Sequence, residues 1–423
     1  MTRIPAGSLL LLFALGCAAR TPPAAIAPGA DRCVIESDSR DTLDVYLAEL
    51  PSAEHAPVPR NDGERLVFRQ LYASLLRLDC TGAIRPDLAD QWTPDRDAGL
   101  WRLELADRRF VGGEPVTAQR VVESLARTGL TEEQPWLARL EAPGPRTLAV
   151  TLAEPDTTGP IRLAHPALAI AGPAGRAGDW PESTGPFRLV DVSDSMLVLA
   201  PVEGEGPVVR FREAPSGDDR DLLQAGAGLL ITRDPAAIAY AARVPALDVV
   251  PLPWDVTYAL ISPTVPPIAI PVDSAARAHF RTSLARDAVR TAARGAEPPY
   301  GGGATAACRT DFPAGARPRA RVVYEAGDET GRELAERIVA IAPVRLSAAA
   351  LPREALAASL AAARDMAFVL PFSRAGAVSC RGLPPLPSGA TIEPLIDTRG
   401  HLILRRNAPR LTLDADGVPR ILP

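Results

Sequence analysis

The spacing of apolar positions divides the chain into short strands and short helices. Residues 42–48 (TLDVYLA) place an apolar side chain at every second position, the period of a half-buried strand. Over 64–77, Val67, Leu71 and Leu75 recur four apart beside Phe68, Tyr72 and Leu76, which predicts an amphipathic helix. Strand patterns follow at 100–105 (LWRLEL) and around Phe110, and Gly112-Gly113 breaks the chain. Thr117 can then cap a helix carrying Val121, Val122 and Leu125. Residues 146–153 (RTLAVTLA) return to period two, so the chain up to about residue 180 reads as an α+β unit.

A second regime begins at 183–190 (STGPFRLV). Strands are predicted at 195–201 and 207–212, and a short helix near 221–240 leads into the apolar run 228–232. Another strand is predicted at 256–261 (VTYALI). Between 319 and 371 the order is strand (321–324), helix (329–341, presenting Leu334, Ile338 and Ile341), strand (344–346), alanine-rich helix (352–363) and strand (366–370). That spacing predicts a parallel sheet with right-handed crossovers.

With 423 residues the chain exceeds what one core usually holds, so two or three domains are expected. Apolar residues at 47% and charged residues at 23% exclude a polytopic membrane protein and a wholly disordered chain. The net charge of −5 leaves no basic surplus for phosphate backbones, so nucleic acid is not an expected partner. All 46 basic residues are arginine. Arginine suits bidentate recognition of phosphate or carboxylate, but Ala, Arg, Gly and Pro are inflated together, which reads as a GC-rich genome.

The N-terminus carries Arg3, an apolar run Leu9–Leu15 and then Gly16-Cys17. The run is too short to anchor across a hydrocarbon core of about 30 Å and has the form of a signal peptide, residues 1–16. Ala14-Leu15-Gly16-Cys17 resembles a bacterial lipobox, which implies diacylglycerol on Cys17; a chance cysteine behind a signal sequence is the alternative. Residues 17–30 are Pro- and Ala-rich and read as a tether. Cys33, Cys80, Cys308 and Cys380 remain, an even number that outside the cytoplasm suggests two disulfides, with free buried thiols the other reading. The chain has no CxxC, and His55, His165, His279 and His401 are scattered, so neither a metal site nor a cofactor is expected. G-x-S-x-G, H-E-x-x-H and the phosphate-loop pattern do not occur, and without lysine Schiff-base chemistry is closed. Glu132-Glu133 and Asp218-Asp219 read as solvated charges, and Gly301-Gly302-Gly303 as a loop. An enzyme is not expected.

Several stretches, in order, resemble the extracytoplasmic solute-binding proteins of family 5, which serve ABC importers of peptides, nickel and related ligands. They are 64–76 (ERLVFRQLYASLL), 82–89 with Trp92, 101–105, 110–118 (FVGGEPVTA), 184–187 (TGPF), 224–226, 258–260, 277–296 and 391–403 (TIEPLIDTRGHLI). The resemblance implies an α/β fold like the type II periplasmic binding proteins, two hinged lobes with an inserted extra domain. Domain I would comprise 31–55, 183–262 and 388–423, domain II 56–182 and domain III 263–387. Cys33 is expected to pair with Cys80, and Cys308 with Cys380. The function implied is capture of a small solute or short peptide between domains I and III and delivery to ABC permease subunits. The protein would be a monomer, lipid-anchored on the periplasmic side; a sensory or structural lipoprotein without transport is the alternative.

The departures narrow this. Val111-Gly112 stand where the family has His-Asp, Ser262 where it has Asn, and domain III is short. Peptide-binding relatives place an acid after the last crossover strand, where this chain has Arg374, so peptide specificity is in doubt and an anionic or uncharged ligand fits better. Trp254, Asp255 and Tyr258 fall near the junction of domains I and III, where aromatics could stack on a ligand and a carboxylate could receive a cation. The plainer reading is core aromatics with a turn aspartate, and for Arg374 a solvated loop charge. Thr184 through Phe187 reads as a turn between domains.

Overall fold

Strand β1 (Val34–Ile35) opens the folded body, followed by β2 (Leu43–Leu47), in which Leu43, Val45 and Leu47 point inward as the alternation predicts. A computed structural model describes residues 33–95, 99–128, 136–173, 179–214, 218–262, 300–301, 321–342, 345–362, 366–374 and 391–423. The signal, the tether with Cys17, the helix read at 277–296, and Cys308 and Cys380 lie outside the described residues. So do Glu132-Glu133 and most of the glycine loop. Cys33 and Cys80 form a disulfide that ties the start of the body to a loop 47 residues later.

Helix α1 (Asp62–Leu71) is capped by Asn61, whose side chain accepts the Glu64 N–H at 2.8 Å. It ends at Leu71, not at 77 as the apolar stripe suggests, because tertiary partners take the backbone groups that would continue it. The Ala73 N–H goes to Thr184 Oγ1 at 3.0 Å and the Ser74 N–H to Asp87 at 3.1 Å, while the Leu71 carbonyl accepts from the N–H groups of Thr184 and Gly185. The TGPF stretch thus plugs the C-terminal end of α1. Leu75 and Leu76, freed from the helix, enter β3 (Leu76–Leu78) and a separate core.

That core is covered by β3, its partner β4 (Ile84–Pro86), and a four-stranded antiparallel sheet. The sheet is built from β5 (Ala89–Asp95), β6 (Leu100–Leu105), β7 (Leu137–Glu141) and β8 (Thr147–Leu152), in the order β5-β6-β8-β7. Helix α2 (Ala118–Arg127), capped by Thr117 as predicted, adds Val121 and Leu125, and α3 (Gly159–Leu163) adds Leu163.

Eleven of the remaining strands form one sheet, and β1 with the last two strands of the chain forms a small sheet of its own. At one end lie β9 (Phe187–Ser193), β10 (Met196–Pro201), β11 (Val209–Glu213), β2 and, after α4 (Asp219–Gln224), β12 (Leu229–Thr232). Their inner face, with α1, makes the first core: Val45, Phe68, Phe187, Phe211 and Leu229 are fully or nearly fully buried. Helix α5 (Pro235–Ala241) leads into a long strand, β13 (Leu247–Ser262), and the short β14 (Tyr300–Gly301) lies on the same sheet.

At the other end β15 (Arg321–Glu325), α6 (Glu329–Ile341), β16 (Ser347–Leu351), α7 (Arg353–Ala362) and β17 (Met366–Ser373) give the parallel crossovers that the spacing predicts, ordered β16-β15-β17. The middle strand runs over 347–351 rather than 344–346. Leu346 packs on the core just ahead of it, and the register Arg321↔Ser347 to Glu325↔Leu351 puts the alanines in the sheet, where α6 and α7 need small neighbours. Leu260, Val322 and Val369 pack in one core with Leu334 of α6, while Ile261, Val323 and Phe368 pack in another with Leu356 of α7. The alanine-rich α7 is therefore a true crossover, held by Leu356 and Leu360. Strand β18 (Thr391–Arg405) pairs with β13 along its length, and β19 (Leu411–Leu413) and β20 (Pro419–Ile421) close against β1.

Strands β13 and β18 pass from one core to the other. Leu252, Leu402 and Leu404 belong to the first core, whereas Tyr258, Leu260, Leu395 and Ile396 belong to the cores around α6 and α7. Between them Pro251 pairs with His401, Trp254 with Arg399 and Val256 with Thr398, so β13 carries one surplus residue in each step. Bulges of this kind bend a strand and raise its twist, and Pro251 and Pro253 supply no N–H to the ladder. The lobes share backbone here but no side-chain core.

Candidate functional site

The crossing just described is where the sequence places its ligand residues. Trp254 and Asp255 sit at the bulges of β13, Tyr258 lies three residues further on, and Val256 pairs with Ser373, which brings Arg374 alongside. Trp254, Asp255 and Arg374 thus occupy neighbouring register positions at the lobe junction. Tyr258 points instead toward the core under α6.

Each of the four has a partner within the protein. The Arg399 guanidinium lies 4.4 Å over the Trp254 ring, a cross-strand cation–π contact. Asp255, the surplus residue of the second bulge, takes both arms of Arg233 at 2.9 and 2.6 Å, a bidentate pair. Burial alone would lower the pKa of Arg233; the hydrogen bonds and charge of Asp255 outweigh it, and the net shift is upward. The Tyr258 hydroxyl donates to Asp328 Oδ1 at 2.9 Å, and the same oxygen accepts the Gly331 N–H as the cap of α6. Burial first, and then the Asp328 charge, push the Tyr258 phenol well above its ordinary pKa, so it stays a donor. Arg374 donates from Nε to Asp397 at 3.0 Å, and Asp397, nearly fully buried, also accepts from Thr257 Oγ1 at 2.6 Å.

The partners Arg233, Asp328, Asp397 and Arg399 carry no sequence signal of this role. Asp328 can be read as a helix cap and Arg233 as a charge ahead of α5, but each pairing depends on strands that only the fold sets side by side. Chemically, the junction offers an aromatic face, two ion pairs, and the further opposite charges of Arg399 and Asp328. Among the described residues no three His, Cys, Asp or Glu side chains cluster as metal ligands. No described helix is long and apolar enough to cross a membrane.

Two lobes on a shared pair of strands, with a further sheet built on its own core, form the fold seen in solved periplasmic binding proteins. Residues 83–205 match the family model "Bacterial extracellular solute-binding proteins, family 5 Middle", in agreement with the sequence resemblance. No curated protein sequence matches the chain. Among solved structures, NikA from Brucella suis in complex with Fe(III)-EDTA is similar at a TM-score of 0.66 and 13% identity, covering 89% of this chain and 98% of that one. The MppA periplasmic murein tripeptide binding protein, in an unliganded open form, is similar at 0.58 and 13%, covering 92% and 98%. AgaA from A. tumefaciens R10, in complex with agropinic acid, is similar at 0.60 and 14%, covering 86% and 93%.

Proposed function

We propose that the protein is an extracytoplasmic solute-binding protein, held to the membrane by lipid on Cys17, that captures a small solute between its lobes and delivers it to an ABC importer. Domains I and III close on the ligand at Trp254, Asp255 and Arg374, while Tyr258, buried under α6, holds Asp328 behind them, and the protein acts as a monomer without a cofactor. The observation that carries this reading is the β13–β18 crossing: two bodies with separate cores, joined by a bulged ladder, can change their angle without breaking a core. The three solved structures named above carry, by their titles, an iron chelate, a murein-tripeptide specificity and agropinic acid, so the fold leaves ligand class open. The balanced charges at the junction favour an uncharged or zwitterionic solute.

A second reading has its own support. Every proposed ligand side chain already has an internal partner, as expected of a sensory or structural lipoprotein that keeps the fold without carrying cargo. A thermal-shift screen of peptides, sugars and organic anions separates the two, since a ligand that binds only the folded state raises its melting point. The carrier reading expects one class to raise it, and Trp254→Ala to abolish the rise. A screen without any Trp254-dependent rise leaves the second reading.

A further inference from the structure

A cleft of about 510 Å³ opens between α3 with the turn after it, α1, and the loop from β19 to β20. It shares no residue with the lobe junction, and its size is that of a small-molecule pocket. One wall is charged, with Arg65 and Arg69 of α1 facing Asp414 and Asp416. The other is apolar, formed by Leu78, Ile161, Ala164 and Ala167, with His165 beside them. Ile161 is 45% exposed, large for an isoleucine on an otherwise well-packed helix.

The polar wall can be counted oxygen by oxygen. Asp414 receives Arg69 and Arg420 on Oδ2 and Arg77 on Oδ1. Asp416 receives Arg69 on Oδ2 at 2.7 Å and the Val418 N–H on Oδ1 at 3.2 Å. Both carboxylates are committed. Arg65 is not: its partner is Asp62 at 3.4 Å, whose side chain is 81% exposed, and such a pair contributes little. His165 Nδ1 accepts the Ala167 N–H at 3.2 Å, so the ring proton sits on Nε2 and that atom is a donor. Partial enclosure of the ring lowers the His165 pKa; the Asp416 charge opposes this, and those of Arg65 and Arg69 add to the drop. The spare hydrogen-bonding capacity of the cleft is therefore donor capacity, next to an exposed apolar surface.

We propose that this cleft is a second binding site, for a small carboxylate with a short hydrocarbon body: the carboxylate on Arg65 and His165 Nε2–H, the hydrocarbon against Ile161 and Ala164. The test uses valerate and its neutral isostere valeramide as probes, titrated to about 50 mM in a thermal-shift assay. Valerate is expected to raise the melting point of the wild type and valeramide is not. Arg65→Gln and His165→Gln should each weaken valerate about tenfold, the loss of one charge-assisted or neutral donor in a partly enclosed site. Arg65 and His165 are partly or largely exposed, so these variants should melt like the wild type without probe. Trp254→Ala should leave the valerate response intact, which separates this site from the lobe junction. The proposal is overturned if valerate gives no rise, if valeramide gives the same rise, if Arg65→Gln leaves the valerate titration unshifted, or if the rise vanishes in Trp254→Ala.

Discussion

Asp414 is the best place to perturb the packing of the first core on its neighbours, because it holds three cations at once. Its side chain is 2% exposed and accepts from Arg69 and Arg77, with Arg420 at 3.8 Å. Arg69 and Arg420 are themselves buried, at 6% and 7%. Removing one partner of a buried ion pair costs about 3–5 kcal/mol, since the remaining charge loses its compensation without regaining water. Two features pull toward the lower end. Arg69 keeps Asp416 at 2.7 Å, and Arg420 keeps Asp87 at 3.2 Å. Asp414→Ala is therefore expected to cost about 3 kcal/mol and Asp414→Asn about 2, the latter keeping shape but not charge. Urea denaturation followed by tryptophan fluorescence measures both, and a cycle with Arg69→Met isolates their coupling, expected above about 1 kcal/mol. A loss below about 1 kcal/mol for Asp414→Ala, or strict additivity with Arg69→Met, would refute the view that these charges hold the C-terminal hairpin to α1.

Two further outcomes follow from the same interior. At Gly185 an added Cβ would lie 2.5 Å from the Gln70 carbonyl oxygen and 2.7 Å from the Leu71 carbonyl carbon, both backbone at the end of α1, so Gly185→Ala should cost about 2–3 kcal/mol in urea denaturation. A variant as stable as the wild type would remove the plug from the account of why α1 stops. At Asp79 burial pushes the carboxyl pKa up, but hydrogen bonds from Thr81, Arg85 and the backbone N–H groups of Ala83 and Thr81 outweigh it and bring it down to about 2. A depressed folded-state pKa gives stability that is fully present above the unfolded value, near 3.8, and is lost as pH falls toward 2. Asp79→Asn should therefore flatten the stability–pH curve between about pH 4 and pH 2, and an unchanged acid limb in that variant would contradict the assignment.

How far the sequence reveals this fold depends on whether the determining partner is near or far along the chain. The segment 329–341 is a helix with the bounds its spacing predicts, because its cap Asp328 and its buried Leu334 and Ile338 are local, although Ile341, read on the same stripe, is 42% exposed. The helix read over 64–77 stops at Leu71, because what ends it is Thr184-Gly185, more than a hundred residues away. The strand read at 344–346 starts three residues later, because register with β15 is a pairing property that three alanines do not advertise. The same division holds at the junction. Trp254, Asp255, Tyr258 and Arg374 are visible as chemistry in the sequence, but Arg233, Asp328, Asp397 and Arg399, which occupy them, are supplied by three other segments, the last two both by β18.

That occupancy bears on how the junction could work. Asp255 is the surplus residue of a bulge, and Arg233 follows directly on β12, so their bidentate contact links the bend in β13 to the strand on the far side of β18. Both side chains are about a third exposed, so solvent screens the pair and its contribution is modest. A contact of that strength cannot lock the bend, yet it biases one angle over others. Any solute that engages Arg233 or Asp255 must compete with it. The charge a ligand presents at this point would then set lobe angle as well as affinity, because the two are coupled through the same guanidinium.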